Sequence, residues 1–391
     1  MKVFVLGGAG RFGAPAARAF AKHNMVTELV IAGRDLGAAG ALASQLGDRV
    51  RAVEVDANDE DALVSALEDF DLFVNMSGPS STLLLPSLRA AIRARTNYCD
   101  IAEDGRAVEQ ALSLDGDARV AGITALLGIG LAPGLTNLMA MHAAAQLDQV
   151  DAVQVGWSNA AELLFGDLEA VLHSMQESHR ISAALVSILE AAGGTIRGFE
   201  HGRAADIDAY GDAVDVVLPH GGTVRAYPLG AAEPITLPRA LPGVQSVASI
   251  MGLVPRVAND ALREQAQRIA AQEISAPDGV IALYEFLAAQ PAGTLKAPPD
   301  VPAEGIWSTA TGRKDGRRVR YTCTPGGAWA TVEGMVAASA LKILRAEIQA
   351  RGVLAPEDCL DPLPFLAEAA RFGPDAAFAG ELLVVSFDWL E

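Results

Sequence analysis

The stretch "KVFVLGGAGRFG", Lys2 to Gly13, constrains the fold more than any other part of the chain. Four apolar residues run directly into glycines spaced as Gly8, Gly10 and Gly13, and an alanine-rich segment continues from Phe12 to Lys22. That order predicts a buried strand, a tight turn and a helix. In G-x-G-x-x-G spacing the first glycine permits the turn and the second lets a diphosphate approach the backbone amides. The third lets helix and strand pack closely. A glycine turn used only for packing has the same spacing, so the surrounding chain must decide between the two.

After Lys22 the chain alternates short apolar runs with helical segments. "ELVIAG" reads as a strand, Gly37 to Leu46 as a helix, "VRAVEVD" as a strand, and Asp59 to Leu67 as a helix with Asp59 at its N-cap. "DLFVNMSG" is the next strand, "PSLRAAIRAR" (Pro86 to Arg95) the next helix, and "TNYCDIAED" leads out of it towards a strand near Ile123 to Ile129. Strands buried on both faces and joined by helices make a parallel sheet. The expected class is therefore α/β, an N-terminal Rossmann-type doubly wound parallel sheet with an α+β second domain.

Beyond Ala132 the texture changes. "VDAVQVGW", "GTIRGFEHG", "AVDVVLPHGGTVRAYPL" and "EPITLP" are strand-like pieces separated by glycine and proline, with a hairpin expected near Gly222 and another at Asp315-Gly316. Helices are expected at 168–191 and 257–273. "TVEGMVAASALKILRAEIQARG", Thr331 to Gly352, reads as one long helix stopped by Gly352. The expected organisation is a nucleotide-binding domain at 1–131, a substrate or dimerisation domain at 132–330, and a segment at 331–391 that returns to the first domain.

Bulk properties exclude several classes. With 30 basic against 48 acidic residues, a formal charge of -18, the chain is a poor partner for nucleic acid. Cys99, Cys323 and Cys359 contain no C-x-x-C pair, and His23, His142, His173, His179, His201 and His220 contain no H-E-x-x-H, so no metal site is expected. Isolated reduced cysteines suit a cytoplasmic protein, and the start of the chain does not resemble a secretion signal. The uncharged stretch "VAGITALLGIGLAPGLTNLMAMHAAAQL" is long enough to span a bilayer, but its glycines, Pro133 and Asn137 read instead as strand, turn and helix. No membrane partner is expected.

Candidate site residues fall at the ends of the strand-like runs, where open α/β sheets bind ligands. Asp56 ends one run, and Asn75, Ser77 and Gly78 end the next; capping and turn formation are the alternative roles for Asn75 and Ser77. Tyr98 and Asp100 are the candidate catalytic groups, with a structural turn as the alternative, while Cys99 between them points elsewhere. In "ELVIAGRD", an acidic group at the strand end suits the ribose of NAD and a nearby arginine suits the 2′-phosphate of NADP. Because Gly33 and Arg34 precede Asp35, the arginine has the better claim and NADP is the expected cofactor.

Together "GGAGRFG", "AGRD", Asp56, "DLFVNMSGP", "TNYCDIAED" and "AGITALLGIGLAPGLTNLMA" resemble the saccharopine dehydrogenase-like family, including its saccharopine reductase and carboxynorspermidine dehydrogenase relatives. The resemblance runs through about residue 142 and returns in "TVEGMVAASALKILRAEI" and "GVLAPE". It implies cofactor contacts at Gly8, Gly10, Gly13, Arg34, Asp56, Asn75 and Gly78, with Tyr98 and Asp100 approaching the active crevice. It also implies hydride transfer to or from an imine or secondary amine of a small amino-acid-like or polyamine metabolite, and a homodimer. Arg203, Arg225, Arg256 and Arg313 are candidates for gripping a substrate carboxylate. The competing reading is an NADP-binding sensor or scaffold without turnover.

Overall fold

Val3, Phe4, Val5 and Leu6 are buried on both faces of β1 (Lys2–Leu6), as the strand of a covered parallel sheet requires. The computed structural model describes residues 1–178, 180–299, 301–373 and 380–391, so His179 lies outside the described residues. After β1 come β2 (Glu28–Gly33), β3 (Val50–Glu54), β4 (Leu72–Asn75), β5 (Asn97–Asp100) and β6 (Thr124–Leu126). Next are β7 (Gln149–Ala160), β8 (Thr195–Glu200), β9 (Arg203–Asp208), β10 (Val214–Val217), β11 (Thr223–Pro228) and β12 (Ser246–Val254). The last four are β13 (Glu304–Lys314), β14 (Arg317–Pro325), β15 (Gly352–Leu354) and β16 (Leu383–Trp389).

The first sheet has the order β15-β6-β5-β4-β1-β2-β3, and every pair in it is parallel. The chain winds outward from β1 to β3 and then resumes at β4 on the other side of β1. That reversal opens a crevice at the carboxyl ends of β1 and β4, where such sheets bind ligands. One aromatic cluster packs in this sheet: Phe4 meets Phe70 and Phe73 edge-on at 5.4 and 5.8 Å, and Phe73 meets Tyr98 at 5.3 Å. Asp59 caps the helix Glu60–Leu67 by accepting the Ala62 amide at 3.0 Å, as its place in the sequence predicts.

The chain divides into two compact units, Met1–Leu138 with Gly326–Leu382, and Met139–Pro325 with Leu383–Glu391. The first unit reaches beyond residue 131 because the turn after β6 is tied to its sheet: the Ile129 amide donates to the Asp100 carbonyl at 2.8 Å. Helix Val332–Leu344, buried around most of its circumference, packs in the same unit against helix Gly13–Lys22 and against β4 and β5. The last strand goes elsewhere, since β16 pairs antiparallel with β14 from Val319↔Trp389 to Pro325↔Leu383.

In the second unit the sheet runs β10-β11-β12-β7-β13-β14-β16, with β8 on β12 and β9 on β8. Only β12 and β7 are parallel neighbours. Both expected hairpins are present. Asp315 and Gly316, at φ 51° and 75°, turn β13 into β14 with the two left-handed residues that a primed turn needs. β10 and β11 pair across the Gly221-Gly222 turn.

Four local expectations differ from what forms. "EPITLP" lies in a helix, Glu233–Ala240, because Pro234 sits in its first turn, where a missing N–H is harmless. The helical stretch at 168–191 is two helices, Leu168–Ser178 and Ala183–Ala191. The long C-terminal helix ends at Leu344, after which Ala346 is left-handed at φ 55°. Gly352 begins β15 instead of stopping a helix, and a side chain there would stand 2.1 Å from Asp115 Oδ1. Helix Ala276–Ala288, absent from the expected elements, starts from Ser275, whose hydroxyl accepts the Asp278 amide at 3.2 Å, with Pro277 in its first turn. Among the described residues no helix is long and apolar enough to cross a membrane, and no His, Cys, Asp and Glu group could hold a metal ion.

Candidate functional site

The loop after β1 is built from backbone approaches that side chains would obstruct. Gly7 has φ 70°, and a Cβ on it would stand 2.8 Å from the backbone of Met76 at the end of β4. A Cβ on Gly13 would stand 2.1 Å from Gly7 O. Gly10 differs: its Cβ would meet only Gly7 O, at 3.1 Å, and otherwise faces open space. Gly8 is buried, its would-be Cβ 3.0 Å from Val5 O and 3.1 Å from Ile31 Cγ2. The turn glycine is thus Gly7 rather than Gly8, and the working spacing is Gly7-x-x-Gly10-x-x-Gly13. The doubled glycine in "VLGGAG" hid this, because sequence cannot say which of two adjacent glycines takes the positive φ.

Gly10 donates its amide to Gly7 O at 2.9 Å, and the first bond of the helix runs from the Ala14 amide to Gly10 O, also 2.9 Å. The amides of Arg11 and Phe12 precede that bond and make the helix start a place for anionic oxygens. Across β1, Arg34 ends β2 exposed, and among the described residues it makes no ion pair. Asp35 caps helix Leu36–Leu46 by accepting the Ala38 amide at 2.9 Å, so one carboxylate oxygen is already engaged. Asp56, beyond the end of β3, is held below the usual carboxylate range mainly by hydrogen bonds from Asn58, with a smaller contribution from Arg34.

On the other side of the crevice the strand ends are joined by one buried polar chain. Asn75 and Asp100 are register partners on β4 and β5. Ser77 donates through its amide and hydroxyl to Asn75 Oδ1, at 3.0 and 2.6 Å, and Asn75 Nδ2 donates to the Tyr98 hydroxyl at 3.2 Å. Tyr98 donates to Asp100 Oδ2 at 2.8 Å, and Asp100 Oδ1 accepts the amides of Ala102 and Gly128 at 3.0 and 2.7 Å. Tyr98 is 0% and Asp100 2% exposed, so both candidate catalytic groups lie enclosed behind the crevice, not at its surface.

Burial explains how these groups titrate. It pushes Asp100 up to about 6, although the amides of Gly128 and Ala102 and the Tyr98 hydroxyl pull the other way. Burial, with the nearby Asp100 charge second, raises Tyr98 well above its ordinary value and keeps it neutral. Cys99 points to the opposite face, and burial raises its thiol too far for a thiolate role.

The turn after β6 is the part of the site that sequence reading missed. Gly128 and Gly134 have φ 64° and 113°, and a Cβ on Gly134 would stand 2.3 Å from Gly130 O. The Gly134 amide donates to Asn137 Oδ1 at 2.9 Å, and Asn137 Nδ2 donates to Glu357 Oε2 at 2.9 Å. Only the arrival of β15 brings Glu357 here. The four arginines singled out for carboxylates separate in the structure. Arg225 pairs with Asp215 through two 2.9 Å bonds, Arg256 lies 3.6 Å from Asp260, Arg313 donates to Gly316 O at 3.1 Å, and Arg203 stands exposed on β9.

The family model described as the saccharopine dehydrogenase NADP binding domain matches residues 3–126. Carboxynorspermidine synthase of Vibrio alginolyticus is 24% identical over 408 aligned residues, covering 94% of each chain. Carboxyaminopropylagmatine dehydrogenase of Synechocystis sp. is 29% identical over 151 residues, covering 36% of this chain and 37% of that protein. Apo saccharopine dehydrogenase (L-Glu forming) of Saccharomyces cerevisiae shares the fold along the whole of both chains, with a TM-score of 0.63 at 16% identity. Homospermidine synthase of Legionella pneumophila, solved with NAD, gives 0.58 at 16% identity, covering 100% of this chain and 91% of that one. The crevice between β1 and β4 and the Gly7-x-x-Gly10-x-x-Gly13 loop lie in the part of the chain that matches the saccharopine dehydrogenase NADP binding domain, and over 94% of its length the chain is similar to a carboxynorspermidine synthase.

Proposed function

We propose that the protein is an NADP-preferring oxidoreductase that reduces an imine, or oxidises a secondary amine, in a small amino-acid-like or polyamine metabolite. The observation that carries this reading is the glycine loop at the β1/β4 reversal with an exposed Arg34, in no ion pair among the described residues, at the end of the neighbouring strand. The residues fit the cofactor. The amides of Arg11 and Phe12 would hold the diphosphate, Gly10 leaves space for it, and Arg34 would take the 2′-phosphate. When bound, NADPH supplies a hydride.

Asn75 and Gly78 line the nicotinamide side of this reading. Tyr98 and Asp100 act in it as positioning residues. Their hydrogen bonds hold Asn75 and the Gly128 turn in place, and their burial keeps them from touching substrate. The names of the relatives support the substrate class, since one makes carboxynorspermidine and another dehydrogenates carboxyaminopropylagmatine.

The purified protein should bind NADPH saturably and oxidise it when given an amino donor together with a carbonyl compound, monitored as absorbance loss at about 340 nm. Failure to bind any nicotinamide nucleotide would overturn the proposal; binding without turnover across amino acids, polyamines and keto acids would favour a sensor. Two glycine variants should separate binding from folding. Gly10→Ala should unfold like the wild type yet bind NADPH at least about tenfold more weakly, because its new methyl enters the ligand's space. Gly13→Ala should lose stability as well, since its methyl meets Gly7 O. If thermal unfolding and titration show both variants binding normally, the loop does not cradle the diphosphate.

A further inference from the structure

Arg263 lies in helix Arg256–Ala270 of the second unit and belongs to none of the polar networks of the nucleotide crevice. Its guanidinium stands over the ring of Tyr227 at 4.7 Å and that of Tyr210 at 5.7 Å. The two rings are stacked on each other at 4.9 Å with an interplanar angle of 10°. Arg263 Nε is fully buried with no hydrogen-bond partner, and among the described residues the side chain makes no ion pair.

This is unusual in a chain with 48 acidic residues against 30 basic ones. Its helix neighbours Arg256 and Arg268 lie near Asp260 and Glu273, whereas Arg263 has no such carboxylate among the described residues and lies against the two rings. A partly buried guanidinium without a counter-charge is costly, and a cation–π contact offsets only part of that cost. Burial also pushes the Tyr210 hydroxyl well above its ordinary value, so no phenolate balances the charge from within.

The platform beneath the guanidinium is held firmly. Tyr210 adopts φ 53°, a left-handed conformation uncommon for a bulky residue. Its amide donates to Pro228 O at 2.8 Å and its hydroxyl to Asn259 Oδ1 at 3.3 Å. Asn259, one helical turn before Arg263, also accepts the Leu253 amide at 2.7 Å. Backbone strain held in place by its surroundings gathers at binding sites more than in ordinary packing.

We propose that Arg263 anchors a carboxylate-binding site in the second unit, which takes one carboxylate of a small organic acid or amino acid. The Tyr227 ring lies against one side of the guanidinium, so the N–H edge that remains meets a carboxylate as a fork. None of the arginines that stood out in the sequence combines burial, an empty fork and an aromatic platform. That the carboxylate is the substrate's rests on the oxidoreductase reading; the site itself does not.

The test uses the full-length protein without cofactor, titrated with glutarate and, separately, with glutaramide, its uncharged diamide. Calorimetry and the Arg263 Nε–H NMR signal, assigned by its loss in Arg263→Lys, report the binding. Glutarate should bind saturably and move that signal, and glutaramide should do neither. Arg263→Lys keeps a cation over the rings but loses the fork, and should weaken glutarate at least about tenfold; Arg263→Gln should weaken it further. No saturable binding, equal response to the diamide, or full affinity in Arg263→Lys would overturn the site. NADPH affinity measured on the same samples keeps the two proposals apart: a wild type that takes glutarate through Arg263 but no nucleotide retains this site and loses the oxidoreductase reading.

Discussion

An Arg34→Ala variant is expected to lose about ten- to a hundredfold in NADPH affinity while binding NADH almost as well as the wild type, the loss of a charge-assisted grip on one phosphate. Arg34 is exposed at the end of β2 with no carboxylate partner among the described residues, so its removal breaks nothing inside the folded chain. Asp56 sharpens the effect. Its carboxylate is ionised over the ordinary pH range and feels the Arg34 charge, so without the arginine a 2′-phosphate would meet an unbalanced negative group. Asp35 is poorly placed to reverse the preference, because it caps the next helix. Fluorescence titrations with both nucleotides decide the matter, and equal losses for NADPH and NADH would show that Arg34 does not read the phosphate.

Asp100→Ala should destabilise the protein by on the order of 3 kcal/mol, because it strands three buried donors: the Tyr98 hydroxyl and the amides of Ala102 and Gly128. The size of this penalty should depend on pH, with a sign set by burial. Asp100 has its ordinary value of 3.8 in the unfolded chain and about 6 in the folded one. A carboxyl raised on folding contributes stability that is full below the unfolded value and lost as pH rises through the folded value. The gap between wild type and Asp100→Ala should therefore be wider near pH 4 than near pH 7 by urea denaturation. A variant as stable as the wild type, or a gap that widens with pH, would contradict the network. Asp100→Asn keeps one acceptor for the two amides, so it should fall between the two.

How far the sequence could be read depended on how local each feature is. β1, the Asp59 cap and the Asp315-Gly316 hairpin arise from a few adjacent residues, and they form where their residue types require. "EPITLP" shows the limit, because a short apolar run with prolines suits an edge strand and a helix start equally well. Gly10, Gly13 and Arg34 were legible as positions at the ends of elements that their own sequence defines, which is where the proposed cofactor contacts lie.

The sequence by itself determined the alternation of strands and helices, the glycine loop and the Asp59 cap, because these depend on periodicity and on neighbours within a few positions. Only the tertiary structure decided that Gly7 takes the turn, since the backbone of Met76 lies against it, and that Tyr98 and Asp100 are enclosed. It also brought Glu357 to Asn137, 220 residues away, and set Arg263 against two tyrosines with no ion pair among the described residues, while Arg225 found Asp215. Burial and pairing are properties of what surrounds a side chain, and those surroundings come from parts of the chain that no local pattern brings together.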